Sequence, residues 1–215
     1  IYLSLEFLSL SSYVLAAYWK NDEKSSEAGI KYFLFGAVSS AVMLYGMSML
    51  YGLTNSTNLD AIASTLASGN LAGASSAVLG AVLMVLVGLG FKLALVPFHL
   101  WAPDTYEGAP TPITAWLSVA SKAAGLAVVT RFLLVAIPQS AGIDWYTIIL
   151  VLSAVSMTLG NMVAITQKNI KRMLAYSSIA QVGYMLVGVL AAAAAITPNS
   201  FGSAISVGYL AVSGE

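Results

Sequence analysis

The chain has 215 residues, of which 59% are hydrophobic and 8% are charged, and its mean hydropathy is +0.85. A soluble domain has roughly 45–50% apolar and about 25% charged residues, so the composition excludes a soluble globular protein. The formal net charge is zero, there is no cysteine and there is one histidine. These counts give no indication of a nucleic-acid-binding surface and exclude a disulfide, a thiolate metal site and a self-contained haem or zinc site.

Six apolar runs predict membrane-spanning helices, because about 20 residues at ~1.5 Å each cross ~30 Å of hydrocarbon. We predict an all-α, polytopic transmembrane helix bundle with six to seven spans, forming a single domain over residues 1–215. With no initiator Met and a last run that is cut short, we interpret the chain as an internal piece of a longer membrane protein. The runs are Ile1 to Trp19, Tyr32 to Leu53, Ala77 to Trp101, Ile113 to Ile137, Trp145 to Ile165 and Met173 to Ile196, with a seventh beginning near Ser200.

Two of the connecting segments carry specific expectations. Within the polar loop from Asn55 to Asn70, the stretch from Leu59 to Leu66 is apolar enough for a short helix on the membrane surface. The segment from Pro103 to Pro112 holds three prolines, from which we predict a loop without helix. Pro112 itself suits a helix start, where its missing N–H is not needed.

Cations collect on one side of the predicted topology. If the helices alternate in direction, the positive-inside rule makes this side cytoplasmic, together with the loop from His99 to Glu107. The loops at 55–70 and 138–144 then face outward. The cations on the cytoplasmic side are Lys20, Lys24, Lys31, Lys168, Lys171 and Arg172.

The stretch FKLALVPFHLWAPDTYEGAPTP, residues 91–112, organises the chain. Pro97 gives no N–H to the carbonyl of Leu93 and crowds it, so we predict that the third helix kinks or breaks just after Lys92. Interrupted helices at membrane depth are tolerated where protein or a water-filled cavity surrounds them, and they mark ion sites in transporters. Lys92 is therefore the first functional candidate.

Two further ionisable residues, Glu6 and Lys122, lie near the centres of their apolar runs. Each such group costs about 2.5–3.5 kcal/mol at the bilayer centre, and with Lys92 the sum is roughly 8–10 kcal/mol. They must therefore face one another or water. Lysine, unlike arginine, can release its proton when it is taken out of water, which suits a proton relay. His99, at the end of the broken helix, titrates near neutral pH and is a candidate for loading the relay.

A structural alternative stands beside the relay. In it, Glu6 and the two lysines form a buried ion pair that only fixes helix register, and His99 is an interfacial or capping residue. A polar N-terminal extension would also place Glu6 close to an interface. We favour the relay for Glu6, Lys92 and Lys122 because intramembrane ionisable residues are functional by default, and leave both readings open for His99.

Two long motifs resemble the antiporter-like subunits of respiratory complex I. They are FKLALVPFHLWAPDTYEGAPTPITAWLSVASKAAG and NMVAITQKNIKRMLAYSSIAQVGYMLVG, and the YEG triplet at 106–108 with SEAGIKYFLFGA resembles the subunit N or NADH dehydrogenase subunit 2 type. The resemblance covers essentially the whole chain. It implies a proton-translocating membrane subunit of a complex I-like NADH–quinone oxidoreductase, a translocase, with the relay residues Glu6, Lys92 and Lys122. A further lysine of the family lies beyond Glu215.

The resemblance also implies what this chain leaves to others. NADH, flavin, iron–sulfur clusters and quinone would belong to partner subunits, so that no cofactor or metal is bound and no redox chemistry is done here. The expected partners are other membrane subunits, the lipid bilayer and protons, without nucleic acid. The expected location is a bacterial cell inner membrane, with an organellar or thylakoid membrane as the alternative.

Two other functions stay open. An Mrp-type cation/proton antiporter would use the same lysine and glutamate relay without a redox partner. A purely structural membrane subunit is disfavoured by Lys92 and Lys122, because simple packing would not place lysine at bilayer depth.

Overall fold

The structure is a computed structural model that describes residues 1–68, 71–138 and 142–196. In these ranges the secondary structure is helical, which confirms the prediction of an all-α bundle. A 3-10 turn at Ala72–Ala74 precedes α4, and a π-helical turn at Phe132–Ala136 extends α6. The helices are α1 (Tyr2–Ala16), α2 (Glu23–Thr54), α3 (Leu59–Ala67), α4 (Ser75–Leu93), α5 (Trp101–Gly108), α6 (Thr111–Arg131), α7 (Trp145–Thr166) and α8 (Ile170–Ile196).

Five helices are long and apolar enough to cross a membrane, namely α2, α4, α6 with its π-helical turn, α7 and α8. A sixth, α1, is apolar but shorter. Large apolar side chains such as Leu3, Phe7 and Ile165 are exposed on the outside of the bundle, as expected where hydrocarbon surrounds the protein. The predicted seventh span near Ser200 lies outside the described residues.

Capping residues set where the helices begin, and hydropathy alone does not reveal them. The second helix was expected from Tyr32 but begins at Glu23, where the Asp22 side chain accepts a hydrogen bond from the Lys24 backbone N–H at 3.0 Å. The polar stretch after Asp22 is therefore the first turns of a 32-residue helix. The short helix expected at 59–66 is confirmed as α3, with Asn58 as its N-cap.

The prediction of a loop over Pro103 to Pro112 is wrong, because α5 occupies Trp101–Gly108. Pro103 is the third residue of that helix, and the first turn has no intrahelical acceptors for its N–H groups. Proline therefore costs no hydrogen bond there. The chain turns after Gly108, and Pro112 falls in the first turn of α6 as predicted.

The third apolar run is broken as predicted. The helix α4 ends at Leu93, Ala94 adopts a left-handed conformation with φ of 58°, and the N–H of Leu95 donates back to the carbonyl of Gly90 at 2.9 Å. The peptide bond between Val96 and Pro97 is cis. Residues 94–100 then lead without α-helix into α5.

Side chains from elsewhere satisfy the backbone at this break. The indole Nε1 of Trp101 donates to the carbonyl of Phe91 at 3.0 Å, and Ser156 of α7 accepts from the N–H of Val96 at 3.0 Å. Each of these bonds is buried, so the break is a fixed part of the fold.

The helices pack closely around the broken segment. The helix α2 runs against α1, α4 and α5, while α7 lies along α8. At Gly46 the backbones of α2 and α4 approach so closely that a Cβ there would be 2.7 Å from the Ala81 carbonyl oxygen. This contact agrees with the small residues expected at the interface of the second helix. Around the break lies an aromatic cluster of Tyr13, Tyr32, Phe91, Trp101 and Tyr106.

Candidate functional site

Lys92 is the last charged residue of α4 before the break, and its side chain is buried at 4% exposure. Its ammonium group donates to the hydroxyl of Ser9 on α1 at 3.0 Å. Among the described residues no carboxylate lies within 4 Å of it. The carbonyl of Phe91 accepts from the backbone N–H of Ala94 at 3.0 Å and from the indole of Trp101, and the Lys92 ammonium contacts a hydroxyl.

Glu6 lies on the same helix as Ser9, three residues before it, and is half-buried between α1 and α2. Its carboxylate accepts a hydrogen bond from the hydroxyl of Ser40 on α2. Ser40 is also 3.4 Å from the hydroxyl of Tyr2. The Glu6 charge acts on Lys92 from beyond direct contact, so the two groups are neighbours but do not form an ion pair.

Lys122 of α6 is buried at 4% exposure and donates to the hydroxyl of Ser178 on α8 at 2.5 Å. Its ammonium group also lies 5.8 Å from the centre of the Tyr106 ring, within range of a cation–π attraction. Ser118, one turn away on α6, is half-buried and donates to its own helix at the carbonyl of Ala115.

The two lysines are connected through α6. A Cβ at Gly125 would lie 3.5 Å from Cγ of Lys92, so the Lys92 side chain passes over α6 one turn from Lys122. A cavity of about 640 Å³ opens beside Lys122 between α6 and α8. Its polar lining includes Ser178 and Gln181. Most of its lining is apolar, and Ser118 and Thr130 are further polar residues on its wall.

His99 lies in the segment between α4 and α5 and is buried at 7% exposure. Its ring meets the ring of Tyr176 on α8 edge-on, with 6.4 Å between centroids. The Nδ1 atom is buried and has no hydrogen-bond partner among the described residues. Tyr176 precedes Ser178, the partner of Lys122, by two residues, so His99 lies on the α8 side of the site.

One pattern is common to the three intramembrane ions. Each is held by a serine hydroxyl from a neighbouring helix: Ser9 for Lys92, Ser40 for Glu6 and Ser178 for Lys122. No motif in the sequence marks these three serines as partners of the charged residues. Their signal in the sequence was weak, because serine is common at such interfaces for packing alone.

The end of the bundle at which α2 and α8 begin carries five charged residues that we call the charged cluster: Lys24, Lys31, Asp104, Glu107 and Arg172. Asp104 of α5 accepts hydrogen bonds from Lys31, at 2.5 Å, and from Arg172. Glu107 accepts from Lys24 at 2.8 Å and from Arg172 at 3.2 Å. Two carboxylates of α5 are thereby tied to α2 and α8.

These contacts set the protonation of the two carboxylates. Burial opposes ionisation of Asp104, but the hydrogen bonds from Lys31 and Arg172 outweigh it and lower its pKa below the usual range. For Glu107 the hydrogen bond from Lys24 is the main cause of a lowered pKa, with a further contribution from Arg172. Both groups are ionised at neutral pH.

Among the described residues there is no group of three or more His, Cys, Asp or Glu able to hold a metal ion.

These features define an integral, polytopic membrane protein with ionisable groups buried between its helices. A family model described as NADH:quinone oxidoreductase/Mrp antiporter, TM, matches residues 1–206. The chain therefore belongs to this family.

Individual proteins to which the chain is similar support this family membership. The chain is 54% identical over 198 residues to NADH-quinone oxidoreductase subunit N of Chlorobium chlorochromatii, covering 88% of this chain and 38% of the relative. It is 52% identical over 192 residues to NAD(P)H-quinone oxidoreductase subunit 2, chloroplastic, of Mesostigma viride, covering 89% and 38%. Among solved structures it is similar to a chain of respiratory complex I from Thermus thermophilus with bound aureothin, at a TM-score of 0.71 and 41% identity, covering 87% and 39%. It spans well under half the length of these relatives.

Proposed function

We propose that this chain is part of a proton-translocating membrane subunit of a complex I-like NADH–quinone oxidoreductase. Protons move through a relay of Glu6, Lys92 and Lys122, with His99 loading it, and residues 1–215 act as one translocation domain. The observation that carries the proposal is the pair of buried lysines, Lys92 and Lys122, whose hydrogen-bond partners within residues 1–68, 71–138 and 142–196 are neutral hydroxyl groups.

An uncompensated ammonium in a membrane protein is costly, so its presence calls for a use. A lysine that is paired with a carboxylate holds its proton firmly, since a nearby negative charge favours the ammonium form, whereas a neutral hydroxyl does so much less. Lys92 and Lys122 lack such a partner, and this favours proton exchange over static pairing. The contact of Lys92 with α6, one turn from Lys122, supports a transfer between the two lysines, and the cavity beside Lys122 can hold water that carries the proton further.

The redox reaction belongs to other subunits in this proposal. Relatives named as quinone oxidoreductase subunits at above 50% identity support a partner that reduces quinone. The free energy of that reaction would drive protons through this chain, whose charged cluster faces the cytoplasmic side or its organellar equivalent. The host membrane is a bacterial inner membrane or a thylakoid membrane, in keeping with the bacterial and chloroplast relatives.

The test is proton pumping by the full-length subunit within its assembled complex, reconstituted into vesicles. Lys92→Ala should abolish most of the NADH-driven proton uptake and the quinone reductase rate coupled to it. The control is Lys20→Ala, which removes an exposed lysine outside the relay. Wild-type pumping by Lys92→Ala, with assembly verified on a native gel, would refute the proposal.

The second candidate is an Mrp-type antiporter, which the description of the matching family includes. Vesicles separate the two functions directly. Proton movement driven by a sodium gradient, without any electron donor, would support the antiporter. Proton movement that requires NADH and quinone would support the oxidoreductase, as would genes for iron–sulfur and quinone-binding subunits beside this gene.

A further inference from the structure

The positions of two serines extend the proposed function, on which this inference rests. Ser9 and Glu6 are three residues apart on α1, a spacing that puts their side chains on adjacent turns of one helix face. The Lys92 ammonium lies 3.0 Å from the Ser9 hydroxyl, so it is about one helical turn from the Glu6 carboxylate. The Glu6 charge acts on Lys92, yet the two groups form no ion pair in the described structure.

Each charge is instead satisfied by a neutral group. Ser9 donates its own proton to the carbonyl of Leu5 at 2.7 Å, which leaves its oxygen lone pairs to accept from Lys92. Ser40 donates to Glu6. Ser9 thus acts as acceptor for the cation and Ser40 as donor for the anion, and each orientation matches the charge it faces.

The titratable groups near Lys92 include Glu6 and Tyr13 of α1, and the Tyr13 hydroxyl is hydrogen-bonded to Ser9. From α1 Lys92 meets Ser9, with the Glu6 charge beyond. From α6 it meets Gly125, and the nearby Lys122 is directed to Ser178 on α8. From α2, the Tyr32 ring stacks on the neighbouring Phe91 with centroids 5.9 Å apart. Of these groups only Glu6 is a carboxylate.

We propose that Ser9 and Ser40 are positioning residues that hold Lys92 and Glu6 apart, so that the proton on Lys92 stays transferable. An ion pair would stabilise the ammonium form and trap the proton, because a carboxylate accepts more strongly than a hydroxyl. The serines compete with that pair at little cost, since both charges keep a hydrogen bond. Lys92 thereby keeps a hydrogen-bond partner within the protein without being paired to an opposite charge.

The experiment uses the full-length subunit in its assembled complex and measures the coupled rate against pH. Ser9→Ala removes the neutral acceptor and lets Lys92 turn to Glu6. The coupled rate at neutral pH should fall by about fivefold or more. The alkaline limb of the pH profile should move to higher pH by about half a unit to one unit, because the trapped proton needs a more alkaline medium to leave.

Matched variants separate positioning from simple packing. Ser11→Ala removes an exposed hydroxyl of the same helix, which bonds only its own backbone at Phe7, and should leave rate and profile unchanged. Ser9→Thr keeps the hydroxyl and should keep the wild-type profile. Ser40→Ala frees Glu6 from the other end and should shift the profile in the same direction as Ser9→Ala, which keeps the test available if Ser9→Ala does not assemble.

A double variant identifies Glu6 as the competitor. In a Glu6→Gln background no ion pair can form, so adding Ser9→Ala should cause no further shift of the pH profile. The inference is overturned if Ser9→Ala and Ser40→Ala behave as Ser11→Ala does, or if Ser9→Ala lowers the rate with an unshifted profile and to the same extent in the Glu6→Gln background. If Lys92→Ala has lost pumping while the serine variants are silent, only this inference fails. Normal pumping by Lys92→Ala removes the proposed function as well.

Discussion

The charged cluster at one end of the bundle and the ionisable residues between the helices differ in whether opposite charges are paired. In the cluster every described carboxylate of α5 meets cations, as when Asp104 binds both Lys31 and Arg172. Between the helices, the hydrogen-bond partners of Lys92 and Lys122 in the described part of the chain are serine hydroxyls. Paired charges hold elements together, whereas unpaired but hydrogen-bonded charges stay free to gain and lose protons.

The same substitution made in both regions should give the largest contrast. Lys122→Arg keeps the charge and roughly the volume, but arginine does not deprotonate in proteins. We expect proton translocation in vesicles to fall by about tenfold or more while the complex assembles. Lys24→Arg in the charged cluster should pump as the wild type does, since its exposed ion pair with Glu107 needs only a permanent charge.

One result would contradict this difference between Lys122 and Lys24. If Lys122→Arg pumps normally, and Lys122→Ala fails only because the complex is absent from the membrane, then Lys122 is a structural charge like Lys24. The proton path would then run through other groups.

Docking of α5 onto α2 should tolerate little added volume. A Cβ at Gly108 would lie 2.1 Å from the Lys24 carbonyl oxygen, so Gly108→Ala must push the two helices apart. We expect a loss of about 1–3 kcal/mol, seen as a lower melting temperature of the purified complex. Gly52→Ala is the control, because nothing lies within 4 Å of its added Cβ and alanine favours helix by up to about 1 kcal/mol. Equal melting temperatures for the two variants would contradict this account.

Removal of one carboxylate from the charged cluster should cost somewhat less. Asp104→Asn removes the negative charge and one of the two acceptor oxygens that Lys31 and Arg172 use, and hydrogen bonds to charged groups are worth about 1.5–3 kcal/mol when buried. Because the cluster is partly exposed, we expect about 1–2 kcal/mol, again as a lower melting temperature. Glu27→Gln, which affects only the exposed pair with Lys31, should cost less than about 0.5 kcal/mol. Pumping per assembled complex should be retained in both variants.

Acid should weaken the charged cluster through its carboxylates. The pKa values of Asp104 and Glu107 are lower in the folded protein than their usual values of about 3.9 and 4.3. Their ionisation therefore contributes stability that is fully present above those usual values and is lost as the pH falls through the folded-state pKa values. At pH values below about 4, the melting temperature of the complex should therefore decrease. The double variant Asp104→Asn/Glu107→Gln should show a smaller drop than the wild type, and an equal drop would assign the effect to other groups.

The sequence by itself determined the class of fold and singled out Glu6, Lys92 and Lys122 as candidate site residues. Apolar runs of about 20 residues leave few alternatives to spanning helices, and Glu6, Lys92 and Lys122 stand out because charge is rare in such runs. The break after Lys92 also followed from one residue, since Pro97 removes a backbone donor and excludes regular helix. These inferences depend on local chemistry, which a linear sequence records.

Only the tertiary structure decided what each ion contacts. Ser9 is 83 residues from Lys92, and Ser178 is 56 from Lys122, so no local pattern could identify them as partners. The helix at Trp101–Gly108 was missed for a related reason. Pro103 within it and the two prolines that follow it look unfavourable in isolation, while ion pairs to α2 and α8 fix its position. Hydrogen bonds and ion pairs between distant segments depend on how the helices pack, and packing is settled by the whole set of surfaces at once.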